Sequence, residues 1–401
     1  MTTMTTMPTT PATTPTTPSA RSAPSAAHPA LDTAYFSRWI AETNRLVRRD
    51  SARLTELDAV IGDGDHGANL VRGFGAVGAA VAEQRPATPG ALLTLAGTTL
   101  TNTVGGASGP LFGTALRRTG KVLGDTEVPT AAELGAALGA GLRSVQKLGG
   151  AELGDATLVD ALAPAVKALS EAAGADRPLR EALDEAAAAA RAGADATEGL
   201  EARKGRASYL GERSVGHQDA GANSVALLME ALRSAVDAAG AELAPGEPAV
   251  EPVVTAAPAD RPAPKTRTGR VGVVLVSHSK AVAESVAALS GALIGSVEPA
   301  PLAVAGGTPD GGIGTSAELI TAAARSVDEG QGVAVLCDMG SAVLTVKSLL
   351  GEEPSQLPEG ARIVDAPFLE GAVAITLTSA IGGDLDAVLA AAEDARGYRK
   401  R

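Results

Sequence analysis

The chain has 401 residues, of which 45% are hydrophobic and only 2% aromatic, with a formal charge of −12 and a single cysteine, Cys337. That length allows two or three domains, and the negative charge excludes non-specific binding to nucleic acid. One cysteine cannot build a disulfide framework, so a reducing, cytoplasmic setting is expected; no apolar run is long enough to span a bilayer.

Residues 1–29 are rich in Thr, Pro, Ser and Ala. They lack the basic start and apolar stretch of a secretory signal and are predicted to be a disordered tail that includes His28. Residues 30–243 read as nearly all helix. Asp32 is placed as an N-cap ahead of Tyr35, Phe36, Trp39 and Ile40, which share one helical face. Further helical stretches are "AAELGAALGAGLRSVQKL", "LVDALAPAVKALSEAA", "PLREALDEAAAAARAGADATEGL" and "GANSVALLMEALRSAVDAAGAEL". β-Branched runs are scarce, and a bundle of antiparallel helices is the expected architecture.

An unusual stretch interrupts this pattern early: "ELDAVIGDGDHGANLVRGF", residues 56–74. Asp58 falls near a helix end, and Asp63 and Asp65 fall in the Gly-rich turn after it. Three such carboxylates can converge on a hard cation, Mg²⁺ or Ca²⁺. Gly62, Gly64 and Gly67 permit tight turns and close approach to phosphates. The helix that follows can aim its N-terminus at phosphate oxygens. An EF-hand starting at Asp63 would put Phe74 where a bidentate glutamate is required, so that reading fails. Taken alone, the segment fits a solvated acidic turn as well as a metal site. Three more Gly-bearing connections shift the balance: "NTVGGASGPLFGTAL" (102–116), "GAELGDATLVD" (150–160) and "EARKGRASYLGERSVGHQDAGANS" (201–224). Helix bundles usually have short connections. Long ones carrying acidic, basic and glycine residues suit a metal–nucleotide complex.

Together, "GDGDHG", "GGASGPLFGT" and "RKGRASYLGERSVGHQDAGA" resemble the nucleotide-binding L subunit of dihydroxyacetone kinase, over essentially all of 30–243. The resemblance implies an up-and-down barrel of eight helices with ADP or ATP at one end. It implies that Asp58, Asp63 and Asp65 bind two Mg²⁺ ions bridging the nucleotide phosphates. His66, Asn69, Ala107 and Ser108 would touch the nucleotide, Leu148 and Thr157 would line its base or ribose, and Arg206 and the turn Asp219–Ala220–Gly221 would close the site. The chain departs from the family pattern at Ala220, where proline is expected, and at Ala156, where lysine is common. Both departures bear on nucleotide affinity and loop rigidity, and neither removes a metal ligand.

Residues 244–269 contain six prolines and are predicted to be an extended tether. After it the period changes. "RVGVVLV", "PLAVAG", "GVAVLCDM" and "ARIVDAP" are strand-like runs. They alternate with the helical stretches "SKAVAESVAALSGAL", "TSAELITAAARSV", "SAVLTVKSLL" and "GAVAITLTSAI", which is the pattern of a parallel α/β sheet over 270–401. His278 sits at the carboxyl end of the first strand, the edge where open α/β sheets place their reactive groups. A neutral imidazole there is a nucleophile, and Asp338, after another strand at the same edge, can hold one ring nitrogen and free the other. Asp310, Thr315 and Ser316 are further polar candidates at that edge. Taken alone, a histidine at a strand end reads more readily as structural; three polar loops at one edge shift the balance.

"VSHS", "GGTPDGGIGTS", "CDMGSA" and "APFLEGAV" resemble the M subunit of the same kinase system, a mannose-type IIA protein of the sugar phosphotransferase system. The resemblance implies a small doubly wound sheet, a homodimer through this domain, and phosphorylation of His278 with Asp338 orienting it. The joined halves imply a relay, from a separate phosphocarrier protein (HPr, charged by enzyme I) to His278, to Mg-bound ADP, then to dihydroxyacetone on a separate K subunit. The alternatives are an ATP-dependent kinase subunit with a regulatory histidine domain, and a phosphorylation sensor that binds a transcription regulator.

Overall fold

The computed structural model of the chain describes residues 30–61, 64–237, 269–294, 299–352 and 354–397. The expected tail and all but Gly269 of the expected tether fall outside the described residues, as does Asp63.

The N-terminal body contains the helices α1 (Thr33–Ile61), α2 (His66–Gln84), α3 (Pro89–Thr103), α4 (Ser108–Leu123), α5 (Ala131–Gly149), α6 (Leu158–Gly174), α7 (Leu179–Ala196) and α8 (Ala220–Ser234). Asp32 caps α1 by accepting the Tyr35 N–H at 2.7 Å. Tyr35, Phe36, Trp39 and Ile40 are all buried, as their spacing predicts. Tyr35 donates its hydroxyl to Leu232 O, and Trp39 donates its Nε1–H to Leu228 O at 3.0 Å, fastening α1 to α8. Each helix packs on its neighbour in sequence, and α8 returns to α1. Neighbours joined this way run antiparallel. The even-numbered helices therefore begin at the same end.

The sequence reading did not single out α3. It carries five threonines in 15 residues, and threonine is a poor helix former. Context overrides propensity here. Thr88 caps the helix by accepting from Ala91 N, and Pro89 stands in the first turn where its missing N–H does no harm. The threonine hydroxyls return to carbonyls one turn back, as Thr94 does to Gly90 O at 2.8 Å. α3 and α4 also approach so closely that a Cβ on Gly97 would lie 2.5 Å from Gly113 O. Gly97→Leu is therefore expected to lower the urea unfolding free energy by about 1–3 kcal/mol through overpacking; an unchanged midpoint would contradict this contact. α7 ends at Ala196, short of the helical stretch read to residue 200, and a 3₁₀ turn (Thr197–Gly199) follows.

The C-terminal body is a four-stranded parallel sheet of β1 (Gly272–Ser277), β2 (Leu302–Gly306), β3 (Val333–Cys337) and β4 (Arg362–Val364), in the order β2-β1-β3-β4. All four strands match strand-like runs of the sequence. Val273 pairs with Leu302, Gly272 with Val333, and Ala334 with Arg362. The helices are α9 (Lys280–Ile294), α10 (Ala317–Ser326), α11 (Gly340–Leu350), α12 (Phe368–Ala380) and α13 (Leu385–Gly397). The alternation within β1 divides two cores. Val274 and Val276 pack with residues of α10 and α11, whereas Val273 and Leu275 pack with those of α9, α12 and α13. Both faces are covered, which explains why β1 is apolar throughout instead of alternating. α13 was not among the helical stretches read from sequence. The two bodies touch, with α10 on α3 and α11 on α4 and α5.

Among the described residues no helix is long and apolar enough to cross a membrane.

Candidate functional sites on the two bodies

The first centre lies where α2, α4, α6 and α8 begin. His66, in the first turn of α2, is buried. Its Nε2 lies 2.7 Å from Ser224 Oγ on α8, and its Nδ1 lies 3.0 Å from Ser108 Oγ, which opens α4. Ser224 Oγ donates to Ala220 O at 2.9 Å, so it is left to accept from Nε2–H. In the neutral ring Nδ1 then accepts from Ser108. A Cβ on Gly221 would lie 3.4 Å from the Leu158 side chain, which brings the start of α8 against the start of α6. Four helix N-termini thus meet, each contributing partial positive charge.

The caps differ in a way that bears on ligands. Thr157 caps α6 in a capping box with Asp160, and Asp219 caps α8 by accepting the Ala222 N–H at 2.6 Å. α4 has Ala107 at its N-cap, with no side-chain cap, and Pro110 in its first turn. Its first N–H groups remain for another acceptor, as anion sites at helix N-termini require. Gly106, just before it, has φ of +70°, and a Cβ there would meet nothing within 4 Å. α2 is served by a borrowed group: Asp58, in the last turns of α1, accepts N–H from Asp65 at 3.0 Å and from His66 at 3.3 Å through Oδ2.

The sequence-predicted residues are thus largely brought together. Asp58, Asp65, His66, Ser108 and the turn Asp219–Ala220–Gly221 share this end, and Asn69 lies beside Gly105. Leu148 stands in the last turn of α5, partly buried. Asp63 and the side chain of Arg206 lie outside the described residues; Arg206 itself opens a 3₁₀ stretch, Arg206–Ser214. That long connection folds over the α5–α6 loop, where Arg203 N–H donates to Asp155 O at 3.1 Å. Among the described residues no group of three His, Cys, Asp or Glu side chains forms a ready cation site. The electrostatics nonetheless fit a cation: burial, with the charges of Asp160 and Asp58, pushes the Asp219 carboxyl up to about 7. Oxygen donors in an over-negative cluster suit Mg²⁺. Ser224 and Asp160 were not foreseen; both lie inside quoted motifs, but only the fold shows that they reach His66 and Asp219.

The second centre lies at the carboxyl edge of the sheet, between β1 and β3, where the strand order reverses. His278 follows β1, and Asp338 follows β3. Asp338 Oδ1 lies 2.9 Å from His278 Nδ1, while Oδ2 accepts from His278 N at 2.8 Å and Ser277 Oγ at 2.9 Å. Burial works to raise the Asp338 carboxyl, but the hydrogen bonds from the His278 ring and backbone and from Ser277 hold it below its ordinary value. An ionised acceptor at Nδ1 places the proton there and leaves the lone pair on Nε2. Nε2 lies 2.7 Å from Ser341 Oγ, in the first turn of α11, where a helix N-terminus favours an arriving anion. Ser341 was missed although "CDMGSA" contains it. The other polar candidates have structural duties. Thr315 is buried against Thr345 Oγ1 at 3.1 Å, Ser316 caps α10, and Asp310 accepts from Thr308 within its own loop. Cys337 is buried, and that burial, with Asp338 beside it, pushes its thiol up to about 12.

Comparison with known proteins agrees with this division. The DAK2 domain model matches residues 60–234, and the PTS system fructose IIA component model matches 272–389. The ADP-binding subunit DhaL of PEP-dependent dihydroxyacetone kinase 1 from Listeria innocua is 39% identical over 201 residues, 50% of this chain and 96% of that protein. The Escherichia coli DhaL subunit is 40% identical over 207 residues, 51% of this chain and 97% of that protein. An L-erythrulose 1-kinase from Mycolicibacterium smegmatis is 42% identical over 198 residues, 48% of this chain but 34% of that protein. The chain belongs to the DhaL family of ADP-binding dihydroxyacetone kinase subunits, with a phosphotransferase-system IIA component carried behind it.

Proposed function

We propose that the chain is the phosphoryl-relay component of a PEP-dependent dihydroxyacetone kinase. A phosphocarrier protein, HPr charged by enzyme I, phosphorylates His278; the group then passes to ADP on the helical body and on to dihydroxyacetone held by a separate K subunit. The observation that carries this reading is the pairing of two complementary centres in one chain. One is an imidazole with Nδ1 held by Asp338 and Nε2 facing the start of α11. The other is a set of four helix N-termini beside a carboxylate cluster.

In this reading residues 30–243 and 270–401 are the two working bodies, 244–269 is the tether, and α1–α8 form an up-and-down barrel closed by α8 on α1. Asp58, Asp63 and Asp65 hold two Mg²⁺ ions, which when bound offset the charge of the nucleotide phosphates and of the phosphoryl in transit. The first turn of α4, from Ala107 and Ser108, offers N–H groups to those phosphates. His66 and Asn69 border them, Leu148 and Thr157 face the base or ribose, and Arg206 with Asp219, Ala220 and Gly221 closes the site. At the second centre Asp338 keeps the proton on Nδ1, so Nε2 is the atom that is phosphorylated. The IIA body also pairs two chains as a homodimer. The likeness to an L-erythrulose 1-kinase favours a second substrate, a tetrose, chosen by the K subunit that holds the sugar.

Reconstitution tests the proposal. With labelled phosphoenolpyruvate, enzyme I, HPr and a K subunit, label is expected on His278 and then on dihydroxyacetone, only when Mg²⁺ and ADP are present. Label that stays on His278 under those conditions would sink the relay.

A further inference from the structure

The two centres do not merely share a chain; they lie against each other. Two contacts fix how. At the site end, a Cβ on Gly314 would lie 3.9 Å from Gly105 Cα. Gly314 donates its N–H to His278 O at 2.9 Å, and Gly105 borders the side chain of Asn69. At the far end, Arg117 on α4 meets Glu352, just beyond α11, with Nη2 to Oε1 at 3.3 Å. α4 and α11 therefore lie side by side in the same direction. Their N-termini, holding Ser108 and Ser341, stand at one end, and the ion pair stands towards the other.

The far contact is shielded from solvent. The two side chains are 10% and 18% exposed. Arg117 also donates to Thr101 Oγ1 and, at 3.4 Å, to Gly97 O, and Glu352 accepts from Gln356. Burial pushes the guanidinium below its ordinary value while Glu352 pulls it back up. A shielded pair of this kind adds little net affinity, but removing one partner strands a charge, so it sets register. Asp310, in the loop that carries Gly314, is held below its ordinary value chiefly by Thr308, with Arg72 of the helical body adding to the effect. Arg72 in turn donates to Asn69 Oδ1 at 2.7 Å. An ion pair thus registers one end of the contact, and the close approach of Gly314 to Gly105 marks the other.

We infer that the histidine-bearing body docks on the α3–α5 face of its own chain, registered by Arg117–Glu352, and that this docked form is the one in which the phosphoryl group crosses. The inference rests on the relay proposed above. In the crossing, the P–N bond to Nε2 breaks and its electron pair returns to the ring, which leaves as neutral imidazole with its proton on Nδ1 beside Asp338. A terminal β-phosphate oxygen of ADP supplies the pair for the new P–O bond, and no net proton moves. His278 is 4% exposed, held by Asp338 and Ser341 of its own body. At micromolar protein, tethering favours the chain's own nucleotide over one on a separate dimer by about 100-fold.

Three full-length experiments test this. First, Arg117→Cys with Glu352→Cys, treated with a short bismaleimide, should give a cross-link within one chain, since buried Cys337 is slow to react. A cross-link only between chains, or none, overturns the docking without reference to activity. Second, Glu352→Arg should leave labelling of His278 intact and slow transfer to ADP about 100-fold. Pairing it with Arg117→Glu should restore most of the rate. Unchanged transfer in Glu352→Arg overturns the register. Third, Asp58→Asn chains charged on His278 and mixed with His278→Ala chains before subunits exchange should transfer at about 1% of the unmodified rate; transfer matching the unmodified chain overturns transfer within the chain. If the unmodified chain is charged on His278 yet never forms ATP, the relay itself fails, and the cross-link still reports on docking.

Discussion

His278→Ala is expected to abolish carrier-dependent labelling of the chain, and Asp338→Asn to slow it by about 10³–10⁴-fold with the fold intact. Alanine removes the acceptor atom, so no residual transfer remains. The asparagine effect is one of tautomer. Asp338 now accepts three hydrogen bonds, from the Nδ1–H, the backbone N–H of His278 and the Ser277 hydroxyl. An amide in its place presents an NH₂ that must face one of these donors. Facing Nδ1, it forces the ring proton to Nε2, the nitrogen that must attack. The loss of about 10⁴ for the equivalent change in a Ser-His-Asp triad sets the scale. Single-turnover labelling, with circular dichroism to confirm folding, provides the measurement. Near-normal labelling of Asp338→Asn would show that Asp338 does not set the tautomer.

Metal-free protein is expected to lose stability as pH rises from about 4 to about 7, and Mg²⁺ at pH 7 is expected to restore it. Asp219 has a folded value raised to about 7 by burial and by Asp160 and Asp58, against an unfolded value of about 3.9. Between those values the folded state keeps a proton that the unfolded state has released, so unfolding is favoured as pH rises. The contribution is complete below the lower value and gone above the higher. Allowing for the partial exposure of Asp219 to solvent, it amounts to about 2 kcal/mol. Urea titrations of the apo protein across this window, compared with Asp219→Asn, isolate the effect. A divalent cation that binds only the folded state stabilises it by mass action. If the two proteins show the same pH profile, Asp219 does not carry the pH effect; if Mg²⁺ shifts neither at pH 7, the carboxylate cluster is not a cation site.

Much of the fold was legible because period and punctuation carry local information. The apolar spacing of Tyr35, Phe36, Trp39 and Ile40 marks a helix with one buried face, and the continuous apolar run of β1 marks a strand covered on both sides. α3 was not legible, because its threonines argue against helix and the reason it is one lies in α4, across the Gly97–Gly113 contact. The candidate sites divide the same way. His278 and Asp338 announce themselves by type and place at strand ends, and His66 and Ser108 through motifs that resemble the L subunit. Ser224 and Ser341, which hold the two histidines, are ordinary serines until the helices that bear them are placed.

By itself, then, the sequence determined that an all-helical body precedes a parallel α/β body, and it singled out the candidate site residues. Helical and strand periods and Gly-rich turns are written within a few residues of each other. Only the tertiary structure decided the strand order that sets His278 and Asp338 at a reversal point, the meeting of four helix N-termini, and the docking of one body on the other. Each depends on side chains 42 or more residues apart, or on different bodies, coming within hydrogen-bonding or ion-pairing reach. Such proximity is settled by packing of whole elements and leaves no local trace in the chain.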